Sequence, residues 1–180
     1  GKIKGGQQTN IETSHIENTG TIIGNGGVSV VSDTLNNLGS GLIKSDADII
    51  IQTDLTNEGG LEAEGKLDVA STNNLVVGGR LVGGGGLRLS AANDLTVDSE
   101  EVYSAGLAEL TVGGQLINNG KLSIAGDLGG TIKTLVNNGE IQVSENLALS
   151  VTSDFENRDI VFAAGDLSFL VGDTLFNNQG

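Results

Sequence analysis

The chain has 180 residues, of which 29 are glycine, and it lacks proline, cysteine, methionine and tryptophan, a composition typical of elongated or repetitive proteins. Its 23 acidic and 9 basic residues give a formal net charge of −14, which argues against binding to nucleic acid or to anionic membrane surfaces. The missing cysteines exclude disulfides and thiolate metal sites, and no run approaches the ~20 apolar residues that span a bilayer, so we expect no membrane insertion.

A motif of the form apolar-x-Asn-x-Gly recurs along the chain. Complete copies begin at Ile16, Leu35, Leu55, Leu116 and Leu135. Degenerate copies begin at Leu75, Leu95, Phe155 and Leu175. The nine starts are spaced by about 20 residues, and a fixed period of this size is the signature of a repeat architecture.

Two further apolar registers follow the same period. The second register consists of Ile22, Leu42, Leu61, Leu81, Val102, Leu122, Ile141 and Val161. The third consists of apolar-x-apolar triplets such as Val28-Ser29-Val30 and Leu147-Ala148-Leu149. Alternation with a period of two, in short aliphatic runs bounded by Gly, Asn, Asp or Ser, predicts strands of three to five residues. Asn-Gly dipeptides such as Asn119-Gly120 and Asn138-Gly139 favour left-handed turn conformations, and with the alternation of period two they lead us to expect no helix.

These registers predict a single all-β domain over residues 1–180. Three short strands per coil of about 20 residues, repeated about nine times, describe a parallel β-helix, a solenoid in which each strand pairs with its equivalent one coil away. The usual chirality of parallel crossovers makes it right-handed. Like apolar side chains should then stack inside the bore. We assign the phenylalanines to packing of this core: Phe155, Phe162, Phe169 and Phe176.

The motif asparagines are predicted to be structural. Each lies two residues after the apolar residue of its motif and so faces the same side of an extended strand, inward or at a corner. Stacked amides can hydrogen-bond along the ladder, which satisfies groups that are costly to bury, and we prefer this role to a ligand site. We expect the glycine that follows to supply a positive φ at the corner. The predicted ladder consists of Asn18, Asn37, Asn57, Asn118, Asn137, Asn157 and Asn177.

One segment, residues 94–103, keeps the period but breaks the motif. It concentrates acids around the only tyrosine, and repeat proteins often place interaction surface where they depart from consensus. Simple sequence drift is the preferred interpretation of this segment, and the candidate interaction surface that it offers as the alternative is Asp98, Glu100, Glu101 and Tyr103.

No catalytic, cofactor or metal site is predicted. His15 is the only histidine, which leaves no partner for a histidine relay or a multi-histidine site. The acid clusters are scattered over different coil positions and are interpreted as solvated charge. A β-helical polysaccharide-degrading enzyme, or a fragment of a phage-type depolymerase, stays open as the alternative function.

The repeats over residues 55–61, 116–128 and 135–141 resemble the filamentous-haemagglutinin repeats of bacterial two-partner-secretion exoproteins, which include adhesins and contact-dependent inhibition toxins. The resemblance covers about residues 11–180. It implies a β-helical shaft, exported by an outer-membrane transporter partner and secreted or displayed on the cell surface. Such a shaft serves adhesion to a host or target-cell receptor or glycan, or presents an effector tip. Because no proline is present for the Asn-Pro signatures of the secretion domain, we expect an internal fragment of a much longer filament.

Overall fold

The computed structural model describes residues 1–99 and 101–178. Within these residues all regular structure is strand, and the predicted absence of helix is confirmed for this part of the chain. In chain order the strands are β1 (Lys2–Gly5), β2 (Gln8–Glu12), β3 (His15–Asn18), β4 (Thr21–Gly24), β5 (Gly27–Asn37), β6 (Leu42–Ser45), β7 (Ile49–Asn57), β8 (Gly60–Ala63), β9 (Lys66–Ser71), β10 (Leu75–Val77), β11 (Leu81–Gly83), β12 (Gly86–Ala91), β13 (Leu95–Val97), β14 (Val102–Ser104), β15 (Ala108–Asn118), β16 (Lys121–Ile124), β17 (Leu128–Asn137), β18 (Glu140–Val143), β19 (Leu147–Val151), β20 (Phe155–Asn157), β21 (Val161–Ala163), β22 (Leu167–Val171) and β23 (Leu175–Asn177).

The strands form a solenoid of nine coils with three faces. The first face is a nine-stranded sheet in the order β1-β4-β6-β8-β11-β14-β16-β18-β21. The second and third faces belong to one 14-stranded sheet, because β5, β7, β15 and β17 run through the corner between them without a break. The pairings that connect successive coils are parallel. The predicted parallel β-helix of about nine coils is thus confirmed.

The bore is filled by three columns of apolar side chains, one for each face. On the third face, Leu75 pairs in register with Leu55 below and with Leu95 above. The first and second faces are filled in the same way, and the core residues between coils 2 and 8 are almost completely shielded from solvent. The nine motif starts form the whole third-face column: Ile16, Leu35, Leu55, Leu75, Leu95, Leu116, Leu135, Phe155 and Leu175.

The phenylalanines are only partly core residues. Phe155 is buried, and its ring centroid lies 4.8 Å from that of the half-buried Phe169. Phe162 and Phe176 are half exposed because they take outward positions of their strands. The prediction of core packing is therefore wrong for these two, since their strands alternate and the inward places belong to Val161 and Leu175.

The second register is displaced at one predicted residue. Ile22 pairs with Ile43, and Ile43 pairs with Leu61, so Ile43 and not Leu42 occupies the inward column. The corner after Asn37 is two residues longer than the corner after Asn18, which shifts the inward position along the chain. Leu42 faces outward and is only partly buried.

Strand lengths and corner glycines also differ from the predictions. Four strands are 9 to 11 residues long, because the second and third faces share a continuous backbone in those coils. In the described part of the chain, positive φ occurs at Gly27, Gly86 and Gly130, none of which follows a motif asparagine. Four of the five motif glycines serve close approach instead: a Cβ on Gly139, for example, would lie 2.2 Å from the carbonyl oxygen of Gly120 in the coil below, whereas a Cβ on Gly39 would meet open space.

Candidate functional site

The motif asparagines of coils 1 to 3 form a buried chain of amide hydrogen bonds. Asn18 Nδ2 donates to Asn37 Oδ1 at 2.8 Å, and Asn37 Nδ2 donates to Asn57 Oδ1 at 2.7 Å. Asn37 Nδ2 also donates to the carbonyl of Gly60 at 3.2 Å, and Asn57 Nδ2 donates to that of Gly59 at 3.0 Å. Each amide thus joins its neighbour and also holds the backbone of a corner.

The asparagines of coils 6 to 9 repeat the arrangement. Asn118 Nδ2 donates to Asn137 Oδ1 at 2.7 Å, Asn137 Nδ2 to Asn157 Oδ1 at 2.8 Å, and Asn157 Nδ2 to Asn177 Oδ1 at 2.9 Å. Asn118 and Asn137 are fully buried. Every step in both groups donates toward the carboxyl-terminal end. We propose that these chains stabilise the solenoid, which removal of Asn137 tests.

The two chains are separated by valines. Val77 and Val97 occupy the ladder position in coils 4 and 5 and pair in register with each other. Val97 pairs with Asn118, whose Oδ1 is buried and has no hydrogen-bond partner. A buried unpaired acceptor is costly, so this break is a weak point of the interior.

A second polar chain runs along the outside of the same corner in the opposite direction. Arg158 Nη1 donates to Asn138 Oδ1 at 3.0 Å, Asn138 Nδ2 to Asn119 Oδ1 at 2.8 Å, and Asn119 Nδ2 to Asp98 Oδ1 at 2.7 Å. Arg158 also binds Glu156 through two nitrogens, and this hydrogen bonding holds the pKa of Glu156 below its usual value. The outer polar chain therefore has a cation, Arg158, at one end and an anion, Asp98, at the other.

The predicted interaction surface is divided between two environments. Asp98 belongs to the outer polar chain, whereas Glu101 Oε1 accepts from Arg80 Nε at 2.6 Å beside the first face. Tyr103 points outward from β14 with 39% of its surface exposed. Glu100 lies outside the described residues. The geometry does not bring Asp98 and Tyr103 into one cluster, and binding by this surface stays a prediction.

Corner carboxylates and amides hold the coils to each other. Asp48 Oδ1 accepts from the backbone N–H of Lys66 at 2.7 Å, and Asp94 Oδ1 accepts from that of Gln115 at 2.8 Å. The same contact recurs at four other corners. The Oδ1 atoms of Asn74, Asp127, Asn146 and Asp154 accept from the backbone N–H groups of Asp94, Asn146, Asp166 and Thr174, respectively. The interpretation of the acids as solvated charge overlooked this role, although the recurrence of Asp or Asn near the 20-residue period was a usable signal.

Asp54 is the most heavily hydrogen-bonded of the corner carboxylates. It accepts from the side chain of Asn73, from Ser71 Oγ at 2.9 Å, from Thr72 Oγ1 at 3.1 Å and from the backbone N–H of Asn73 at 3.0 Å. These bonds, led by the one from the Asn73 side chain, hold the pKa of Asp54 below its usual value despite some desolvation. A carboxylate saturated in this way orders its corner.

His15 is exposed, and its Nδ1 lies 2.6 Å from Thr34 Oγ1. Across residues 1–99 and 101–178, no group of three or more His, Cys, Asp and Glu side chains is arranged to hold a metal ion. In the same residues no helix has the length and apolar character needed to cross a bilayer.

Comparison with known proteins identifies the repeat. The family model described as "Haemagglutinin repeat" matches the chain three times, over residues 1–59, 51–99 and 103–168. The search of curated proteins and the search of solved structures each gave no significant match. The three matches cover most of the chain and include all the stacked motif asparagines except Asn177. The chain belongs to the haemagglutinin-repeat family.

Proposed function

We propose that this chain is a segment of the rod-like shaft of a secreted, cell-surface filamentous bacterial exoprotein. The haemagglutinin repeat is a structural and adhesin repeat, found in secreted or cell-surface proteins, and together with the solenoid fold it supports an adhesin-type shaft. We further propose that this shaft is exported through an outer-membrane two-partner-secretion transporter and belongs to a longer filament. The filament would function in adhesion or in the presentation of an effector tip.

The observation that carries the proposal is the unbroken register of the coils. From Ile16 to Leu175, nine equivalent residues pair one above the other without a skipped coil. At a spacing of about 4.8 Å per coil the chain extends roughly 43 Å along one axis. Because strands of neighbouring coils are joined by main-chain hydrogen bonds on all three faces, the rod resists bending, and its function is mechanical reach.

The corner contacts support the same function. Asp48, Asp94 and Asp154 each accept a backbone N–H from the next coil, so the carboxylates fasten coil to coil. Side chains that bind the neighbouring coil contribute to axial stiffness and are not free to serve as general acids or bases. The enzyme alternative has no observation in its favour among the described residues.

The test is display on living cells. The chain is placed between a two-partner-secretion amino-terminal domain and an epitope, and is expressed with the cognate outer-membrane transporter. We expect the epitope at the cell surface, and tandem copies of the chain should move it outward by about 4.8 Å for each added coil, as measured by fluorescence localisation or force microscopy. A control carries a compact helical domain of equal residue number. Failure of surface display with the transporter present, or no gain in reach over the control, would contradict the proposal.

A further inference from the structure

The two ends of the solenoid expose strand edges that pair on one side only. Among the described residues, β1, β2 and β3 of coil 1 pair with coil 2 alone, and β21, β22 and β23 of coil 9 pair with coil 8 alone. Inward apolar side chains are also uncovered there: Ile3 is 53% exposed at the amino-terminal end, and Leu167 and Leu175 are 51% and 53% exposed at the carboxyl-terminal end. Open edges of this kind favour a further strand partner.

The inward columns of the two ends fit each other. Continuing each column from coil 9 into coil 1 of a second copy sets three apolar pairs in contact: Val161 with Ile3, Phe169 with Ile11 and Leu175 with Ile16. In a fourth column Leu167 meets Thr9, whose hydroxyl already donates to a carbonyl within its own chain at 2.8 Å. The contact between coils that recurs within the chain is thus repeated between copies.

The motif asparagines give this contact a direction. Each bond of the buried amide chains runs from Nδ2 to the Oδ1 of the next coil toward the carboxyl-terminal end, and the last runs from Asn157 to Asn177 at 2.9 Å. In the stack, Asn177 Nδ2 donates to Asn18 Oδ1 of the second copy. Among the described residues, that oxygen accepts only from the backbone N–H of Gly20, at a long 3.2 Å. The polarity of the amides therefore joins unlike ends.

The corner before the second face supplies a further directional bond. Asp127 Oδ1 accepts from the backbone N–H of Asn146 at 2.9 Å, and Asn146 Oδ1 accepts from that of Asp166 at 2.9 Å. Gln8 occupies the same column in coil 1. In the stack, Asp166 Oδ1 accepts from the backbone N–H of Gln8 of the second copy, so the bond that fastens coils to each other within the chain also fastens the two copies.

Charge favours the same pairing of unlike ends. Residues 139–178, which form coils 8 and 9, carry seven carboxylates and one cation, a net charge of −6. Residues 1–38, which form coils 1 and 2, carry two lysines and three carboxylates, a net charge of −1. Two carboxyl-terminal ends therefore repel each other most. Two amino-terminal ends repel less, but their strands would meet antiparallel, unlike the pairings between coils of one chain.

We propose that copies of this chain stack end to end, with coil 1 of one copy on coil 9 of the next in the parallel register of the coils within the chain. The contact is heterologous, and because the stacking direction is the solenoid axis it does not close into a ring. The product is an open series of rods that lengthen by roughly 43 Å for each copy. This association does not depend on the proposed role in export or adhesion.

The decisive experiment blocks one end at a time. Ile3→Lys puts an ammonium into the contact at the amino-terminal end, and Leu175→Lys does so at the carboxyl-terminal end. Both positions are more than half exposed in a single copy, so we expect both variants to fold. Neither variant can pair two intact ends with its own kind. In a mixture, the intact carboxyl-terminal end of Ile3→Lys binds the intact amino-terminal end of Leu175→Lys.

Phe176→Lys is the matched control for Leu175→Lys. It adds the same charge one residue further along β23, at an outward position that is 51% exposed. In the stack this position follows the outward column of the third face to Glu17 of the second copy, so the new ammonium meets a carboxylate. We therefore expect Phe176→Lys to associate at least as well as the wild type.

The measurement is sedimentation equilibrium at about 0.15 M salt, with protein from about 1 μM to about 1 mM. The wild type and Phe176→Lys should give an average mass that keeps rising beyond the dimer, and each blocked variant should associate at least about tenfold more weakly. Their mixture should stop at a dimer. A wild type that stays monomeric or stops at a dimer, an equal loss in Phe176→Lys, or no dimer on mixing would each overturn the proposal.

A second measurement needs no blocked end. Position 4 follows position 162 in the outward column of the first face, at the spacing of about 4.8 Å that a disulfide can bridge. The chain has no native cysteine, so Lys4→Cys and Phe162→Cys chains are mixed and oxidised. We expect a disulfide between the two different variants and little dimer from either alone. Efficient linkage of Phe162→Cys chains to each other, or no linkage in the mixture, would overturn the proposed geometry.

Discussion

Removal of Asn137 is the sharpest test of the buried asparagine chain. Asn137→Ala removes the hydrogen bond from Asn118 at 2.7 Å, the one to Asn157 at 2.8 Å and the one to the carbonyl of Ile160 at 3.2 Å. Each contributes about 1 kcal/mol net, and the groups left unpaired beside a fully buried position add to the loss. Because Asn157 is only partly buried and water can reach it, we expect a total loss of about 3 kcal/mol in the free energy of unfolding.

The assay is urea unfolding followed by far-ultraviolet circular dichroism, with hydrogen exchange to show whether the loss is confined to coils 6 to 8. Asn138→Ala is the matched control, since this neighbouring amide hydrogen-bonds on the exposed side of the corner and should cost less than about 0.5 kcal/mol. A loss below about 1 kcal/mol for Asn137→Ala, or one no greater than that of Asn138→Ala, would refute the proposed role of the buried amides.

Three other predictions concern the ladder break, the corner glycines and acid sensitivity. The double variant Val77→Asn/Val97→Asn should join the two asparagine chains and satisfy Asn118 Oδ1. Its change in the free energy of unfolding, measured in urea, should be more stabilising than the sum of the two single changes by about 1 kcal/mol, and simple additivity would contradict this. Gly139→Ala should cost about 2 kcal/mol because its Cβ meets a backbone oxygen, whereas Gly39→Ala, which has open space, should cost almost nothing. Asp54→Asn should destabilise by about 1 kcal/mol at neutral pH. Folding lowers the pKa of Asp54, so the stabilisation by its carboxylate is complete above the unfolded pKa of about 3.9 and is lost as the pH falls through the folded pKa. If the wild type kept its full stability advantage over Asp54→Asn below about pH 4, that result would be inconsistent with this role.

The period of about 20 residues is visible in the sequence, and it predicts most of the residues that face the interior of the solenoid. Leu55, Leu75 and Leu95 are recognisable as one column because a solenoid repeats its inward positions at each coil. Ile43 was missed because the corner after Asn37 has two extra residues, and the length of a corner does not reveal which of two adjacent apolar residues turns inward. The outward positions of Phe162 and Phe176 depend on the same local alternation.

Contacts between coils were harder to foresee. The bond from the backbone of Lys66 to Asp48 joins residues 18 apart and requires the two corners to overlap, which composition does not show. The tight approach of Gly139 to Gly120 is likewise a property of stacked backbones and not of local turn chemistry, which is why a positive φ was expected there.

The most direct test of the stacking is a pair of distances measured by pulsed electron paramagnetic resonance. Spin labels at Asn10 and Glu109 lie five coils apart on the outward column of the second face, and labels at Asn10 and Ala148 lie seven coils apart. Stacking at about 4.8 Å per coil predicts narrow distributions near 24 Å and 34 Å respectively. Equal distances for the two pairs, or broad distributions without a step of about two coil spacings between them, would contradict the β-helical arrangement.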